Sequence, residues 1–221
     1  MKGDRLVIRE EHRRAARGIA ELLLPRIADA GGRFIVTIAG ESGSGKSEVA
    51  SVLSQCLAEK DINSAIIQLD DYFAYPPKTN DRMRRQDISH AGPSEVRLDL
   101  LDSNLREITE GAGEITKPLV IYGDDLITEE KLDLESISVV IVEGTYATML
   151  ENAHWRVFID RTYVDTREAR KARHREEQDD YLERVLEIEH GIVSRHKADA
   201  DIIVNADYTV REATQEDRTG G

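Results

Sequence analysis

The sequence predicts an α/β fold of three layers, in which helices cover both faces of a mostly parallel β-sheet. Short apolar segments of strand length alternate along the chain with longer segments of helical character, which is typical of a parallel sheet buried on both faces. A glycine-rich turn joins the first of these strands to a helix. The chain of 221 residues is long enough for one core of this kind, and no long linker divides it.

The first half of the chain contains the clearest elements. Apolar residues recur at helical spacing from Ala16 to Ile27, and Gly31-Gly32 ends that helix. This stripe has two interpretations: it covers the sheet, or it pairs with a second subunit in a homo-oligomer. Residues 70–93 carry three prolines and many charges and are predicted as loop. The elements are a helix at 10–30, a strand at 34–39, a helix at 46–59, a strand at 64–69 and a helix that is capped by Ser94 and reaches Gly111.

The second half contains shorter strands and one long charged helical region. Residues 115–122 predict a strand, and Pro118 places it at a sheet edge because proline cannot donate to a ladder. Further strands are predicted at 139–142, 155–159 and 202–204, with a helical region at 166–195 before the last of them. We predict one domain over residues 1–213, with a small helical lid at about 166–195, and a disordered tail at 214–221.

Composition and charge exclude several classes of function. The formal net charge of −13 disfavours general binding to nucleic acid or to an anionic membrane surface. No apolar run is long enough to span a bilayer, and the first residues lack the apolar core of a signal peptide, so the expected location is the cytoplasm. The single cysteine, Cys56, lies in a helical pattern and is expected to be a packing residue in a reducing compartment.

The turn after the first strand is the most specific motif of the sequence. It reads Gly40-Glu41-Ser42-Gly43-Ser44-Gly45-Lys46-Ser47 and matches G-x-x-x-x-G-K-[ST] without a mismatch. Glycines let successive backbone N–H groups turn toward phosphate oxygens, and the following helix presents its positive end. Lys46 can reach the β- and γ-phosphates, and the Ser47 hydroxyl can ligate Mg²⁺. We therefore predict a P-loop NTPase fold and nucleotide binding by residues Gly40 to Glu48, although this loop alone does not establish kinase chemistry.

Acidic residues follow two of the predicted strands. The second strand runs into Asp70-Asp71, and the strand at 139–142 runs into Glu143. Ligands of parallel sheets bind beyond the carboxyl ends of the strands, so these carboxylates are expected near the triphosphate. We predict Asp70 as the base that orients an attacking hydroxyl, and Ser47, Asp70 and Glu143 as the residues near Mg²⁺. The alternatives are that Asp70 caps a helix and that Asp71 is a solvated turn residue.

Two basic clusters stand out in this acidic chain. Arg167, Arg170, Lys171 and His174 share one face of a predicted helix that has almost no apolar residues. Such a helix is either a lid that closes over phosphates or a solvated helix paired with its own glutamates. The second cluster, Arg82, Arg84 and Arg85, lies in the predicted loop and either contacts substrate or is solvated.

Taken in order, these motifs resemble the uridine kinase, phosphoribulokinase and bacterial pantothenate kinase family over residues 33–205. The resemblance is carried by the glycine-rich turn and by a series of shorter blocks: Leu69-Asp70-Asp71-Tyr72-Phe73, Glu107 to Gly111, Val142-Glu143-Gly144, Phe158-Ile159-Asp160, Thr166 to Arg175, and Lys197 to Val204.

The resemblance implies a P-loop kinase fold, ATP or GTP as phosphate donor, and Mg²⁺. It implies that Asp70 is the catalytic base, that Lys46, Arg167 and Arg170 act on the phosphates, and that Tyr122 lies in a segment covering the acceptor. We expect the acceptor, a small molecule with a hydroxyl such as uridine or cytidine, to be bound by Asp70, Tyr72, Arg85, His90, Tyr122, Glu143 and Arg170.

Alternative functions remain at this stage. The nucleoside-holding stretch of uridine kinases is only partly matched, through His90, Pro93 and Glu95, so a phosphorylated pentose, pantothenate or another small alcohol is an alternative acceptor. A GTPase or ATPase switch is a second alternative, because His196-Lys197-Ala198-Asp199 partly matches the guanine-reading pattern N/T-K-x-D. A third is a nucleotide-binding module without chemistry.

Overall fold

The computed structural model describes residues 6–168, 170 and 179–219. Within these residues the helices are α1 (Glu10–Asp29), α2 (Lys46–Ala58), α3 (Pro77–Gln86), α4 (Leu98–Thr109), α5 (Asp180–Val193) and α6 (Gln215–Thr219). The strands are β1 (Phe34–Gly40), β2 (Ser64–Gln68), β3 (Glu114–Ile121), β4 (Leu126–Asp133), β5 (Val139–Glu143), β6 (Trp155–Ile159), β7 (Ile202–Val204) and β8 (Val210–Glu212).

The central sheet has the strand order β2-β5-β1-β6-β7-β8. Its first five strands are parallel, and β8 pairs antiparallel with β7 at the edge. The central position of β1, between β5 and β6, places the turn after β1 at the middle of the carboxyl edge of the sheet. The predicted α/β fold with a mostly parallel sheet is therefore confirmed.

Two apolar cores lie on opposite faces of this sheet. Side chains of β1 alternate between them: Ile35 packs with residues of α4, whereas Val36 packs with residues of α1 and α2. Ala16, Ile19 and Leu23 of α1 are buried in the second core. The apolar stripe of the first helix thus covers the sheet.

The region after β2 is more regular than the predicted loop. It contains α3, which begins at Pro77 and has Met83 as its only large apolar residue, so the sequence offers no helical periodicity there. The helix predicted to be capped by Ser94 begins instead at Leu98. Ser94 lies in a short 3₁₀ turn, and Val96 is extended and forms a β-bridge with Phe73.

The strand predicted at 115–122 belongs to a separate two-stranded sheet. It forms β3, which pairs antiparallel with β4 rather than with the central sheet. The sequence does not reveal β4, because most of its residues are charged and exposed and no apolar alternation marks it. The β3–β4 hairpin therefore lies outside the central sheet, although Ile115 and Leu132 pack into the core on one face of that sheet.

The C-terminal region also differs from its prediction. Residues 215–219 of the predicted disordered tail form α6, which buries no residue of its own. Asp217 holds it, because its carboxylate accepts hydrogen bonds from Arg211 and from the backbone N–H of Thr214. An ion pair of this kind leaves no apolar signal in the sequence.

The predicted lid divides into parts with different surroundings. Its last part is α5, which is amphipathic and buries Leu182, Val185, Leu186 and Val193. Lys171, Arg173, His174 and Arg175 lie outside the described residues. In the part of the chain that the structure describes, no helix combines the length and apolar character needed to cross a bilayer.

Candidate active site

The glycine-rich turn joins β1 to α2 and curls its backbone under tight constraints. Gly40, Gly43 and Gly45 adopt φ angles of 148°, 77° and 92°, a region that favours glycine. A Cβ at Gly43 would lie 2.8 Å from Cγ of Arg170. The ammonium of Lys46 donates to the backbone carbonyl of Glu41 at 2.9 Å. The loop is thus closed on itself, with Lys46 folded over it.

Three polar side chains from separate elements meet at the carboxyl edge of the sheet. The Ser47 hydroxyl donates to Oε1 of Glu143 at 3.0 Å, and Nε2 of Gln68 donates to the same oxygen at 3.1 Å. They meet because β2 and β5 are neighbours and Gln68 pairs in register with Glu143. Gln68 was not among the predicted site residues, because the strand was predicted to continue to residue 69, whereas β2 ends at Gln68.

The charge of Glu143 is strongly influenced by its surroundings. Burial raises the pKa of this carboxyl, and the nearby negative charge of Asp70 raises it further. The positive charge of Lys46 and the hydrogen bonds from Ser47 and Gln68 act in the opposite direction. These interactions bring Asp70, Lys46, Ser47 and Glu143 into one electrostatic cluster, as the sequence predicted for the ends of β2 and β5.

The two adjacent aspartates after β2 have different environments. They lie in the 3₁₀ turn Leu69–Tyr72, which sends consecutive side chains in different directions. Asp70 is half-buried on the side of Glu143 and Lys46. Asp71 is 1% exposed and accepts hydrogen bonds from Nζ of Lys117 at 2.9 Å and from the backbone N–H of Val120 at 3.0 Å. The expectation of a solvated Asp71 is wrong, because this carboxylate anchors the hairpin.

The turn that carries Asp70 is fixed by close packing against the end of β5. A Cβ at Gly144 would lie 2.3 Å from Cβ of Leu69, so a side chain at this position would displace the turn. The glycine that follows Glu143 therefore allows the two acidic strand ends to approach each other.

The start of the predicted lid lies directly on the phosphate loop. The Thr166 hydroxyl donates to the carbonyl of Ser42 at 2.8 Å. Arg170 is 5% exposed, and its guanidinium donates to the Thr166 hydroxyl and to the carbonyl of Tyr163. Arg167 is more exposed and lies 3.4 Å from the carboxylate of Glu183. Arg170 is therefore close to the loop, and Arg167 extends along α5.

The side chain of Glu41 connects the loop to the segment just before the predicted lid and to α5. Its carboxylate accepts from the backbone N–H of Tyr163 at 2.6 Å and lies 2.7 Å from Nδ1 of His190. Because its side chain is buried in these contacts, Glu41 ties the loop to neighbouring segments of the structure. No sequence pattern predicted Thr166, Tyr163 or His190 in this role.

The residues predicted to bind the acceptor differ in burial and in their contacts. Tyr72 is fully buried, and its hydroxyl donates to Oδ1 of Asn104 at 2.8 Å, so it is a core residue and we remove it from the acceptor set. Arg85 is partly exposed and pairs with Asp81 and Asp179. His90 is half-buried, and Tyr122 follows the end of β3.

A buried ionic cluster lies next to His90. Nε2 of His90 lies 3.1 Å from Oδ1 of Asn80, whose amide donates to the fully buried carboxylate of Glu95. Arg84 bridges Glu95 and Glu189, linking α3 to α5. Of the loop arginines, Arg84 is therefore internal rather than solvated.

Comparison with known families identifies the part of the chain that forms this site. The model of the Phosphoribulokinase / Uridine kinase family matches residues 35–179, which include the loop, both aspartates and Glu143. The chain belongs to this family. The guanine-reading interpretation of residues 196–199 is weakened by the ion pair of Lys197 with Asp160, whose charged atoms lie 2.7 Å apart.

Curated relatives of this family member differ in what they phosphorylate. The bifunctional alpha-galactosidase/sucrose kinase AgaSK of Mediterraneibacter gnavus is 29% identical over 194 residues, covering 81% of this chain and 21% of AgaSK. A uridine kinase of Macrococcus caseolyticus is 32% identical over 136 residues, covering 60% of this chain and 62% of the relative. The chain therefore matches less than two thirds of the length of either relative.

Solved structures agree on the fold. A possible uridine kinase from Bacillus stearothermophilus superposes with a TM-score of 0.60 at 19% identity, over 87% of this chain and 98% of that one. The D-glycerate 3-kinase of Cryptococcus neoformans superposes with a TM-score of 0.62 at 14% identity, over 90% and 99%. At these identities the likeness concerns the fold alone.

Proposed function

We propose that this protein is a kinase that transfers the γ-phosphoryl group of ATP to a hydroxyl of a small molecule. The observation that carries the proposal is the cluster of Lys46, Ser47, Asp70 and Glu143 at the carboxyl edge of the sheet. Transfer of a phosphoryl group to an alcohol requires a positively charged side chain at the phosphates, oxygen ligands for Mg²⁺, and a carboxylate that orients the attacking hydroxyl. These groups must lie close together. Membership of the family supports the same reading.

In the proposed transfer, Asp70 orients the acceptor hydroxyl and takes its proton. The acceptor oxygen forms a bond to the γ-phosphorus, while the bond from that phosphorus to the β–γ bridging oxygen breaks and ADP leaves. Lys46 and Arg170 offset negative charge on the phosphates, Arg170 from its position over Gly43. The backbone of residues 40–48 binds the triphosphate, and Arg167 adds a more distant positive charge.

The residues present suit magnesium. Ser47, Asp70 and Glu143 offer a hydroxyl and carboxylates, the oxygen ligands that this ion prefers. Among the described residues no three His, Cys, Asp or Glu side chains converge as a self-contained metal site. Magnesium shared with nucleotide phosphates needs only one or two protein ligands. When bound, it would offset charge on the β- and γ-phosphate oxygens.

For the acceptor we propose a neutral molecule that carries a sugar, with a nucleoside such as uridine or cytidine as the first candidate. His90, Tyr122 and Arg85 remain our proposed acceptor contacts, together with Asp70, Glu143 and Arg170. A free sugar is the second candidate, because AgaSK, which is named a sucrose kinase, matches 81% of this chain whereas the uridine kinase matches 60%.

The test is a panel of acceptors assayed for ADP release. Purified protein with MgATP or MgGTP is given nucleosides, mono- and disaccharides, phosphorylated pentoses, glycerate or pantothenate in turn. The proposal expects ADP to form only when the correct acceptor is present, with the phosphorylated acceptor detected by mass spectrometry. Slow hydrolysis that no acceptor accelerates would instead indicate a switch, and nucleotide binding without turnover would indicate a binding module.

A further inference from the structure

A buried tyrosine supports the phosphate loop from the side of the protein core. Tyr208 lies in the turn between β7 and β8, is 4% exposed, and donates its hydroxyl hydrogen to the carbonyl of Ser44 at 2.9 Å. The guanidinium of Arg161 donates to the same hydroxyl at 2.7 Å and lies over the tyrosine ring. A Cβ at Gly45 would lie 2.8 Å from this hydroxyl. The contact therefore leaves no room for a side chain at position 45 of the loop.

A histidine of α1 completes the contact. The ring of His12 packs edge-on against Tyr208, with centroids 5.1 Å apart, and its Nε2 would lie 3.1 Å from a Cβ at Gly45. Its Nδ1 accepts from the backbone N–H of Arg9 at 3.2 Å, which fixes the ring at the start of α1. His12 is 6% exposed, so this packing is part of the core.

The approach of α1 to the β7–β8 turn is also built into the chain. A Cβ at Gly18 would lie 3.0 Å from Cβ of Val210, so the missing side chain lets the helix pack on β8. Arg14 donates to the carbonyl of Asp207 in the same turn. Both segments lie outside residues 35–179, the part of the chain that the family model matches.

The backbone of the turn itself indicates that the position of Tyr208 is maintained at some cost. Tyr208 has a φ of 63°, a conformation that residues other than glycine rarely adopt. Hydrogen bonds between Asn205 and Thr209, and from the N–H of Tyr208 to the carbonyl of Asn205, hold the turn in this shape. Strained residues of this kind persist where the surrounding structure fixes them, often at functional sites.

The geometry points to a positioning role for Tyr208 in nucleotide binding. Because a trans peptide is planar, the carbonyl of Ser44 and the N–H of Gly45 point in opposite directions. Tyr208 holds the carbonyl toward the core, which directs the Gly45 N–H away from the core and toward the phosphate side of the loop. We propose that Tyr208, supported by His12 and Arg161, preorganises this N–H for a phosphate oxygen. This inference rests on the proposed function.

The hydroxyl of Tyr208 is tested by Tyr208→Phe, with Thr209→Val as the matched control. Thr209 lies in the same turn, and its hydroxyl donates to Asp207 and accepts from the side-chain amide of Asn205, both within that turn. Binding of MgATP and of magnesium tripolyphosphate is measured by calorimetry, and thermal unfolding is followed without ligand. We expect Tyr208→Phe to weaken both ligands about 5- to 10-fold, the size of one net hydrogen bond.

The kinetic result distinguishes positioning from a general structural role. Once an acceptor is known, Tyr208→Phe should raise KM for ATP by a similar factor and leave kcat and the KM of the acceptor within about twofold, because the lost interaction is with bound phosphate in both ground and transition states. Thr209→Val should match the wild type in nucleotide binding. Equal binding by Tyr208→Phe and wild type, or equal losses in both variants, would overturn the inference while leaving the kinase proposal standing. Failure of the wild type to bind MgATP would overturn both.

Discussion

The phosphate loop at residues 40–47 and the β3–β4 hairpin at residues 114–133 are attached to the protein in different ways. The loop is a continuous turn between two core elements, and it is held by hydrogen bonds to Glu143 of β5 and to Tyr208 of the β7–β8 turn. The hairpin is a separate sheet, attached by the buried ion pair of Asp71 with Lys117 and by apolar residues such as Ile115 that pack into the core.

The boundary between these two regions runs between Asp70 and Asp71. Asp70 is half-buried in the charge cluster of the site, whereas Asp71 is almost fully buried beneath the hairpin. A carboxylate left partly open to solvent can exchange protons and ligands, while one that is buried and paired serves attachment. Two adjacent aspartates thus occupy different environments, Asp70 in the proposed active site and Asp71 beneath the hairpin.

The largest effect is expected for Asp70→Asn. Loss of the proton-accepting carboxylate should lower the rate of phosphoryl transfer by about 10²- to 10⁴-fold, the usual contribution of a general base. Affinity for MgATP, measured by calorimetry, should fall little, since the loop and Lys46 are intact. Asp29→Asn serves as the control, because Asp29 is exposed at the far end of α1. Undiminished transfer by Asp70→Asn would contradict the assignment of the base.

The next effect is expected for Asp71→Asn, and it concerns stability. Loss of the charged hydrogen bond to Lys117 should lower the free energy of unfolding by about 1.5–3 kcal/mol, the range for hydrogen bonds to charged groups. Urea denaturation measures this change. Asp70→Asn, assayed in parallel, should lose less stability, because Asp70 is half-buried whereas Asp71 is 1% exposed. Equal losses for the two variants would remove the distinction drawn here.

The smallest effect is expected for Glu143→Gln. This change should raise the stability of the ligand-free protein, whereas Asp71→Asn lowers it. Burial raises the pKa of Glu143 in the folded protein, so the folded state binds this proton more tightly than the unfolded state. As pH rises through the ordinary carboxyl pKa toward the raised value, the unfolded state loses its proton first, and stability falls. Glutamine keeps an oxygen that can accept from Ser47 and Gln68 but carries no charge.

We therefore expect Glu143→Gln to raise the thermal midpoint of the ligand-free protein at neutral pH and to leave it unchanged at acid pH, where both proteins are neutral at this position. The same variant should weaken the dependence of nucleotide binding on magnesium. A thermal midpoint at neutral pH below that of the wild type would show that the charge of Glu143 stabilises the fold instead.

Local patterns account for the part of the fold that was predicted correctly. The strands that flank the phosphate loop are continuous apolar runs, because both faces of a central parallel strand are buried, and such runs are visible in sequence. The elements that escaped prediction have the opposite composition. Helix α3 and strand β4 are rich in charges, and they form because tertiary partners satisfy those charges: Arg84 of α3 pairs with Glu95, and Glu130 of β4 pairs with Lys117.

The site residues divide in the same way, into those specified by a local pattern and those that depend on the fold. Lys46 and Ser47 were predicted because eight consecutive residues specify a phosphate-binding backbone, and Asp70 and Glu143 because strand ends of a parallel sheet share one edge. Gln68 and Tyr208 required the fold, since each acts through a hydrogen bond to a residue more than 70 positions away. Tyr72 was wrongly predicted to contact the acceptor, because the sequence Asp70-Asp71-Tyr72 does not indicate which of these side chains point into the core.

The sequence by itself determined the sheet, the phosphate loop and the acids beside it, because each depends on a short run of residues whose physical requirements are local. Only the tertiary structure decided which aspartate faces the site, how the hairpin is held, and what supports the loop from behind. These depend on burial and on hydrogen bonds between distant segments, and the free energy of a buried charge is set by the partners that surround it rather than by its neighbours in sequence.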